Sequence, residues 1–311
     1  MSTRILGVGH HLPPEIDVGG VRRPIAVDPV GSSTLGVEAT RGALAQAGLG
    51  ADAIDFIVFA TMTPDANFPG SGCFFQDQMG CGTVGALDVR AQCAGFIFGL
   101  SIADQFVSAG AHERVLVVGA EIHSAGLDYT EPRAQVARLY GDGGGAVLVG
   151  RGADGAGIRA TAIHTDGRHY REFWCEYPAS RQHPVRMTIE DFRAGKHFLT
   201  LDVDKVRRFG EETLPVVIQE ALAKAQVGVA GIDRFIIGHV LPDVAETVAR
   251  RLAVDSARVH VPAAHHGHLT AAALPVALSE DLARGTLGTG ATVCLAACGA
   301  GFAWGAAVIT L

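Results

Sequence analysis

Short runs of β-branched and aromatic residues alternate along this chain with longer alanine-rich runs of helical period. Residues 54–60 (IDFIVFA), 115–119 (VLVVG), 145–149 (GAVLV), 234–237 (RFII) and 291–295 (ATVCL) read as buried strands. Residues 34–46, 94–108, 206–226 and 270–283 read as helices. The strand runs are nearly continuous in apolar residues rather than alternating. That is the pattern of a sheet covered by helices on both faces. The chain therefore reads as an α/β protein.

One stretch of this pattern occurs twice. Ala43-Leu44-Ala45 and Ala47 fall on Ala221-Leu222-Ala223 and Ala225 at an offset of 178 residues, followed by Gly50 on Gly228, Ile54 on Ile232 and Asp55 on Asp233. Pro64 and Asp65 fall on Pro242 and Asp243, and Val115 on Val293, still without a gap. A register held through helix, turn and strand points to two halves of similar fold. We divide the chain into residues 1–160 and residues 161–311.

Composition narrows the function. The chain has 311 residues, of which 48% are hydrophobic and 18% charged, enough apolar surface for a large core. A formal net charge of -7 and the absence of long Lys/Arg runs argue against nucleic-acid partners and a polybasic membrane patch. The N-terminal residues lack the apolar core of a signal peptide, and no apolar run approaches the length of a membrane span. Six cysteines occur without a CxxC pair, which fits a cytoplasmic protein with reduced thiols.

The candidate chemistry starts at Cys93, between the polar stretch Asp88–Gln92 and an apolar helix. At a helix N-terminus the positive end of the helix favours thiolate and should lower the thiol pKa. The free N–H of the first turn can donate to an oxyanion. His239 ends the apolar run Phe235–Gly238 and so points to whatever lies at the sheet edge, a position that also suits a hydrogen-bonded core histidine. His265, His266 and His268 could suggest a metal site, but no second ligand cluster accompanies them. Gly7-Val8-Gly9 lacks the third glycine of a dinucleotide fingerprint, and Gly143–Gly145 lacks the Lys-Ser/Thr of a P-loop. Both read as tight turns.

Around Cys93, the stretch Asp88–Gly110, with Cys93-Ala94-Gly95-Phe96, resembles the nucleophile region of the 3-oxoacyl-ACP synthase III family. Four further segments match in order. Thr63–Pro69 is similar to the family's dimer-interface loop, Tyr140–Ala146 (YGDGGGA) to its FGDGAGA, Gly267–Pro275 to its GNTSAA helix start, and Ala297–Gly305 to its C-terminal GGGFTWG. The resemblance covers essentially the whole chain. It implies a thiolase-like fold of two pseudo-symmetric βαβαβαββ halves packed as a five-layer αβαβα sandwich. The N-terminal half would carry the nucleophile and the C-terminal half the histidines.

The resemblance also implies roles. Cys93, His239 and His268 form the expected catalytic set, with the backbone of Cys93, Ala300 and Gly301 as oxyanion hole. His268 stands where the family has Asn, as in elongating condensing enzymes of this fold. Phe68 would line the partner's acyl pocket in a homodimer, and Arg133 or Arg138 would contact a CoA or carrier phosphate. The implied reaction acylates Cys93 from acyl-CoA or acyl carrier protein, then condenses the acyl group with a malonyl thioester on loss of CO2. No metal or redox cofactor is expected. The family's Trp-Ile-x-x-Arg segment for CoA is missing, and Gly19–Pro24 replaces a longer stretch. This suggests a specialised member in fatty-acid or polyketide-type biosynthesis. The changed third residue leaves two other readings open. One is an acyltransferase that moves the acyl group to an alcohol, amine or other nucleophile without decarboxylation. The other is a half-competent subunit of a hetero-oligomer.

Overall fold

A computed structural model describes residues 2–27, 30–152, 156–180 and 187–311. The first sheet contains β1 (Ser2–His11), β2 (Phe56–Ala60), β3 (Gly85–Val89), β4 (Arg114–Glu121) and β5 (Gly143–Gly152), in spatial order 1-5-4-2-3. The second contains β6 (Gly157–Thr165), β7 (Arg234–Gly238), β8 (Val259–His260), β9 (Thr292–Gly299) and β10 (Ala303–Thr310), in order 6-10-9-7-8. The two orders are the same topology. Their registers agree as well: Phe56 pairs with Val115, and Arg234 with Val293, each residue displaced by the offset of the sequence repeat.

Six longer helices complete the halves: α1 (Ser32–Ala47), α2 (Ser71–Met79), α3 (Gly95–Ser108), α4 (Val203–Lys224), α5 (Pro242–Arg251) and α6 (Ala273–Ala283). Helices α3 and α6 lie between the sheets. Phe96, Ile97 and Leu100 of α3 and Leu274 and Leu278 of α6 share one core with Val58, Val117, Ile236 and Leu295. Alternate strand residues face outward. Ile57 and Phe59 pack beneath α1 and α2, and Phe235 and Ile237 beneath α4 and α5. Each half is βαβαβαββ, and the layers run αβαβα, as the resemblance implies.

Local chemistry explains several details. Asp202 caps α4 by accepting the Lys205 N–H at 3.2 Å. Pro215 interrupts α4 and cannot donate to the Glu211 carbonyl one turn back. Arg251 of α5 donates to that carbonyl instead, at 2.6 Å. The glycine runs are strands, not the tight turns expected. Gly7 and Gly9 lie in β1 and Gly143–Gly145 in β5; a Cβ would collide with helix backbone at Gly7, Gly9 and Gly144, with Pro275 at 2.7 Å at Gly145, and with the Leu12 side chain at 2.9 Å at Gly143. Close helix–sheet approach, rather than turning, requires these glycines.

Candidate active site

Cys93 sits in the single 3-10 turn Gln92–Ala94 that leads into α3. Gln92 holds a left-handed backbone at φ 50°, uncommon for a residue with a side chain. The pseudo-equivalent turn Thr270–Ala272 leads into α6, and Thr270 also has φ 50°. The two central helices thus begin alike, one with Cys93 and the other with Ala271.

The second turn presents the imidazole to the first. His268 is buried and its Nε2 lies 2.9 Å from the Cys93 sulfur. Its backbone is fixed by donation of its N–H to the Leu139 carbonyl at 2.6 Å. His239, also buried, follows β7. Its Nδ1 lies 3.1 Å from the Leu241 N and 3.2 Å from the Leu241 carbonyl oxygen, and accepting from the former leaves the ring proton on Nε2. That Nε2 has no partner among the described residues and faces Gly210 of α4, where a Cβ would stand 2.6 Å away. Gly210 was not foreseen, because no local motif marks it. Gly299 has a similar duty, since a Cβ there would collide with the Cys93 sulfur.

Burial sets the protonation states. It pushes the Cys93 thiol well above its ordinary value, with Cys298 and Glu121 adding to the effect. The backbone N–H groups of Ala300 and Cys93 act in the opposite direction. The expected low-pKa thiol is therefore corrected: desolvation outweighs the helix terminus. Burial also holds His239 down to about 4 and His268 well below its usual value. These directions favour a neutral thiol beside the neutral His268 imidazole, with His239 neutral as well.

Glu121, at the end of β4, anchors the neighbouring loop. It accepts from Met62 N at 3.1 Å, from Thr61 and Thr63, and from the Ala271 N–H at 3.4 Å. Asp142 of the YGDGGGA segment accepts from Ala26 N and His123 N, each at 2.8 Å, tying β5 to the end of β4. The three clustered histidines diverge, for His266 meets Glu280 at 2.8 Å while His268 meets Cys93. Among the described residues no group of three or more His, Cys, Asp or Glu is placed to hold a metal ion.

A cavity of about 640 Å³ reaches the nucleophile turn at Gln92, Ala300 and Gly301 and is walled by Phe173, Trp174 and Tyr177. A larger one of about 860 Å³ lies between residues 16–30 and 122–138 and is lined by neither Cys93 nor the two histidines. Arg138 borders it and donates to Glu131 at 2.8 Å. Arg133 is engaged with Asp128 at 3.3 Å and the Ala194 carbonyl at 2.9 Å. Phe68 is 85% exposed.

Known proteins share this fold. The family model for 3-oxoacyl-[acyl-carrier-protein (ACP)] synthase III matches residues 87–167, and that for its C-terminal part matches residues 222–311. A beta-ketoacyl-[acyl-carrier-protein] synthase III of Rhodospirillum centenum is 37% identical, over 92% of this chain and 86% of that protein. The 3-oxoacyl-[acyl-carrier-protein] synthase III of Aquifex aeolicus VF5 superposes with a TM-score of 0.89 at 27% identity, covering 99% of this chain and 100% of its own. The priming beta-ketosynthase of the R1128 polyketide pathway gives 0.90 at 27%, covering 100% of this chain and 96% of its own. The protein is thus a thiolase-fold condensing enzyme, an acyltransferase. Within that class, the chain belongs to the 3-oxoacyl-[acyl-carrier-protein] synthase III family.

Proposed function

We propose that this enzyme condenses a Cys93-bound acyl group with a malonyl thioester, using His239 and His268 as its two imidazoles. The observation that carries this reading is the 2.9 Å contact between His268 Nε2 and the Cys93 sulfur. With the thiol neutral at rest, attack on an acyl thioester needs a proton acceptor, and His268 Nε2 is in place to be one. The sulfur bonds to the acyl carbon, and the carbonyl oxygen becomes an oxyanion held by the Cys93 and Ala300 N–H groups. Gly301 shapes that turn. As the tetrahedral intermediate collapses, His268 returns the proton to the departing CoA or carrier thiolate.

In the second half-reaction, His239 Nε2–H and the Nε2–H tautomer of His268 donate to the malonyl thioester carbonyl. The C–C bond to the carboxylate breaks, CO2 leaves, and its electron pair becomes the enolate. The enolate carbon attacks the acyl-Cys93 carbonyl, the Cys93 thiolate leaves and takes one proton from solvent to restore the resting thiol, and a 3-oxoacyl thioester is the product. Every step is assigned to the chain's own groups, so the reading requires no cofactor. Arg138, whose buried Nε lacks a partner among the described residues, is the arginine we assign to a donor phosphate. The bare Phe68 and the exposed Leu87 on edge strand β3 suit a homodimer interface. The six free cysteines fit a reducing, cytoplasmic setting.

The test is a product assay with purified protein, a panel of acyl-CoAs, and malonyl-CoA or malonyl carrier protein. Product and CO2 are followed by mass spectrometry beside Cys93→Ala. We expect a malonyl-dependent 3-oxoacyl product that the variant does not form. Acylation of Cys93 without such a product would overturn the condensing step and turn the search to alcohol or amine acceptors.

A further inference from the structure

Tyr140 is only 1% exposed, and its hydroxyl has no hydrogen-bond partner among the described residues. Sealing a phenol in this way costs stability, because the group gives up water and gains nothing. A phenylalanine, which the matching family segment has at this place, would fill the ring's space without that cost. The location of the hydroxyl suggests what compensates.

Tyr140 is bridged through its backbone to His268, and its ring centroid lies 5.7 Å from that imidazole and 4.7 Å from His123. It shares a buried cluster with Cys93. The groups around the thioester are already engaged. His268 meets the sulfur, and the Ala300 and Cys93 N–H groups point to it. His123 is held by the Gly141 carbonyl at 3.0 Å and by Thr270. The Tyr140 ring thus stands beside the imidazole that meets the sulfur, while its hydroxyl bonds to neither. A group carried on Cys93 could bring that hydroxyl the partner it lacks.

We propose that Tyr140 is a specificity-determining residue that favours acyl donors carrying an oxygen on the third carbon, a 3-hydroxy or 3-oxo acyl thioester. A phenol can donate and accept, so either oxygen satisfies it. A buried polar group rejects the analogue that leaves it unpaired. The inference rests on the acyl-Cys93 reading.

The experiment measures acylation of Cys93 by intact-protein mass spectrometry with butyryl-CoA and with each enantiomer of 3-hydroxybutyryl-CoA. The expected result is a preference of about tenfold for one oxygenated donor. In Tyr140→Phe that ratio falls toward unity, with a melting temperature at or above that of the parent protein. Equal rates in the parent, or an unchanged ratio in the variant, overturn this inference alone. A lowered melting temperature with an unchanged ratio would make the hydroxyl a structural group and overturn it too. Failure of Cys93 to accept any acyl group overturns the acyl-Cys93 reading, and this inference with it.

Discussion

Two glycines guard the reactive trio as firmly as any ligand. Gly210 leaves room for His239 Nε2, and Gly299 leaves room for the Cys93 sulfur. Gly210→Ala should displace the imidazole and lower kcat/KM by about two orders of magnitude while the protein stays folded. Gly299→Ala should block acylation outright, read as loss of the acyl-enzyme mass. Replacing His268 by Ala should slow acylation by ~10²-fold or more, since the neutral thiol then lacks its proton acceptor. The places of Cys93 and His239 were legible from sequence because each stands at a junction of apolar run and turn, and the roles proposed for them come from the resemblance. The thiol's elevated pKa was not legible. It follows from burial between two halves that lie far apart along the chain.

At the level of elements, the continuous apolar runs marked β2, β4, β5, β7 and β9 well, and the alanine-rich runs marked α1, α3, α4 and α6 within a few residues, while α2 and α5 went unmarked. Strand β3 escaped because Gly85–Val89 is a largely exposed edge, so its residues carry no core signature. Strand β10 escaped because Ala303–Thr310 is built of small apolar residues that suit a helix equally well. The start of α6 was placed at Thr270, whereas Thr270–Ala272 is the 3-10 turn that mirrors the nucleophile turn. The repeat also exposes an imperfection. Helix α1 ends on Gly48 at φ 67°, and the equivalent residue after α4 is Gln226 at φ 54°. A side chain strains that conformation. Gln226→Gly should raise the unfolding free energy by about 1 kcal/mol in urea titrations.

Over the whole molecule, α3 and α6 pack against both sheets, so neither half encloses a complete core of its own. Burial of the two active-site imidazoles has a consequence for acid stability. His239 ordinarily titrates near 6.5 but is held at about 4 in the fold, and His268 is depressed as well. Below 6.5 the unfolded chain therefore binds more protons than the native one. Stability from these groups is full above that value and is lost as pH falls toward 4. Between about pH 7 and about pH 5, the loss from His239 alone is on the order of 2 kcal/mol. His239→Asn should flatten that slope in denaturant titrations at the two pH values. Light scattering on the eluted protein should report twice the 32.3 kDa chain mass, with Phe68→Ala weakening the association.

The duplicated turns carry one more lesson. Residue 121, at the end of β4, is answered in the second half by residue 299, at the end of β9. In the first position a glutamate lays its carboxyl group on the Ala271 N–H; in the second a glycine leaves the matching space to the Cys93 sulfur. The molecule therefore holds two copies of one socket, one filled by its own carboxyl group and the other by the nucleophile. In the proposed reaction the first copy is a template for the second: an oxygen resting on a backbone N–H, there only while an acyl group is being transferred.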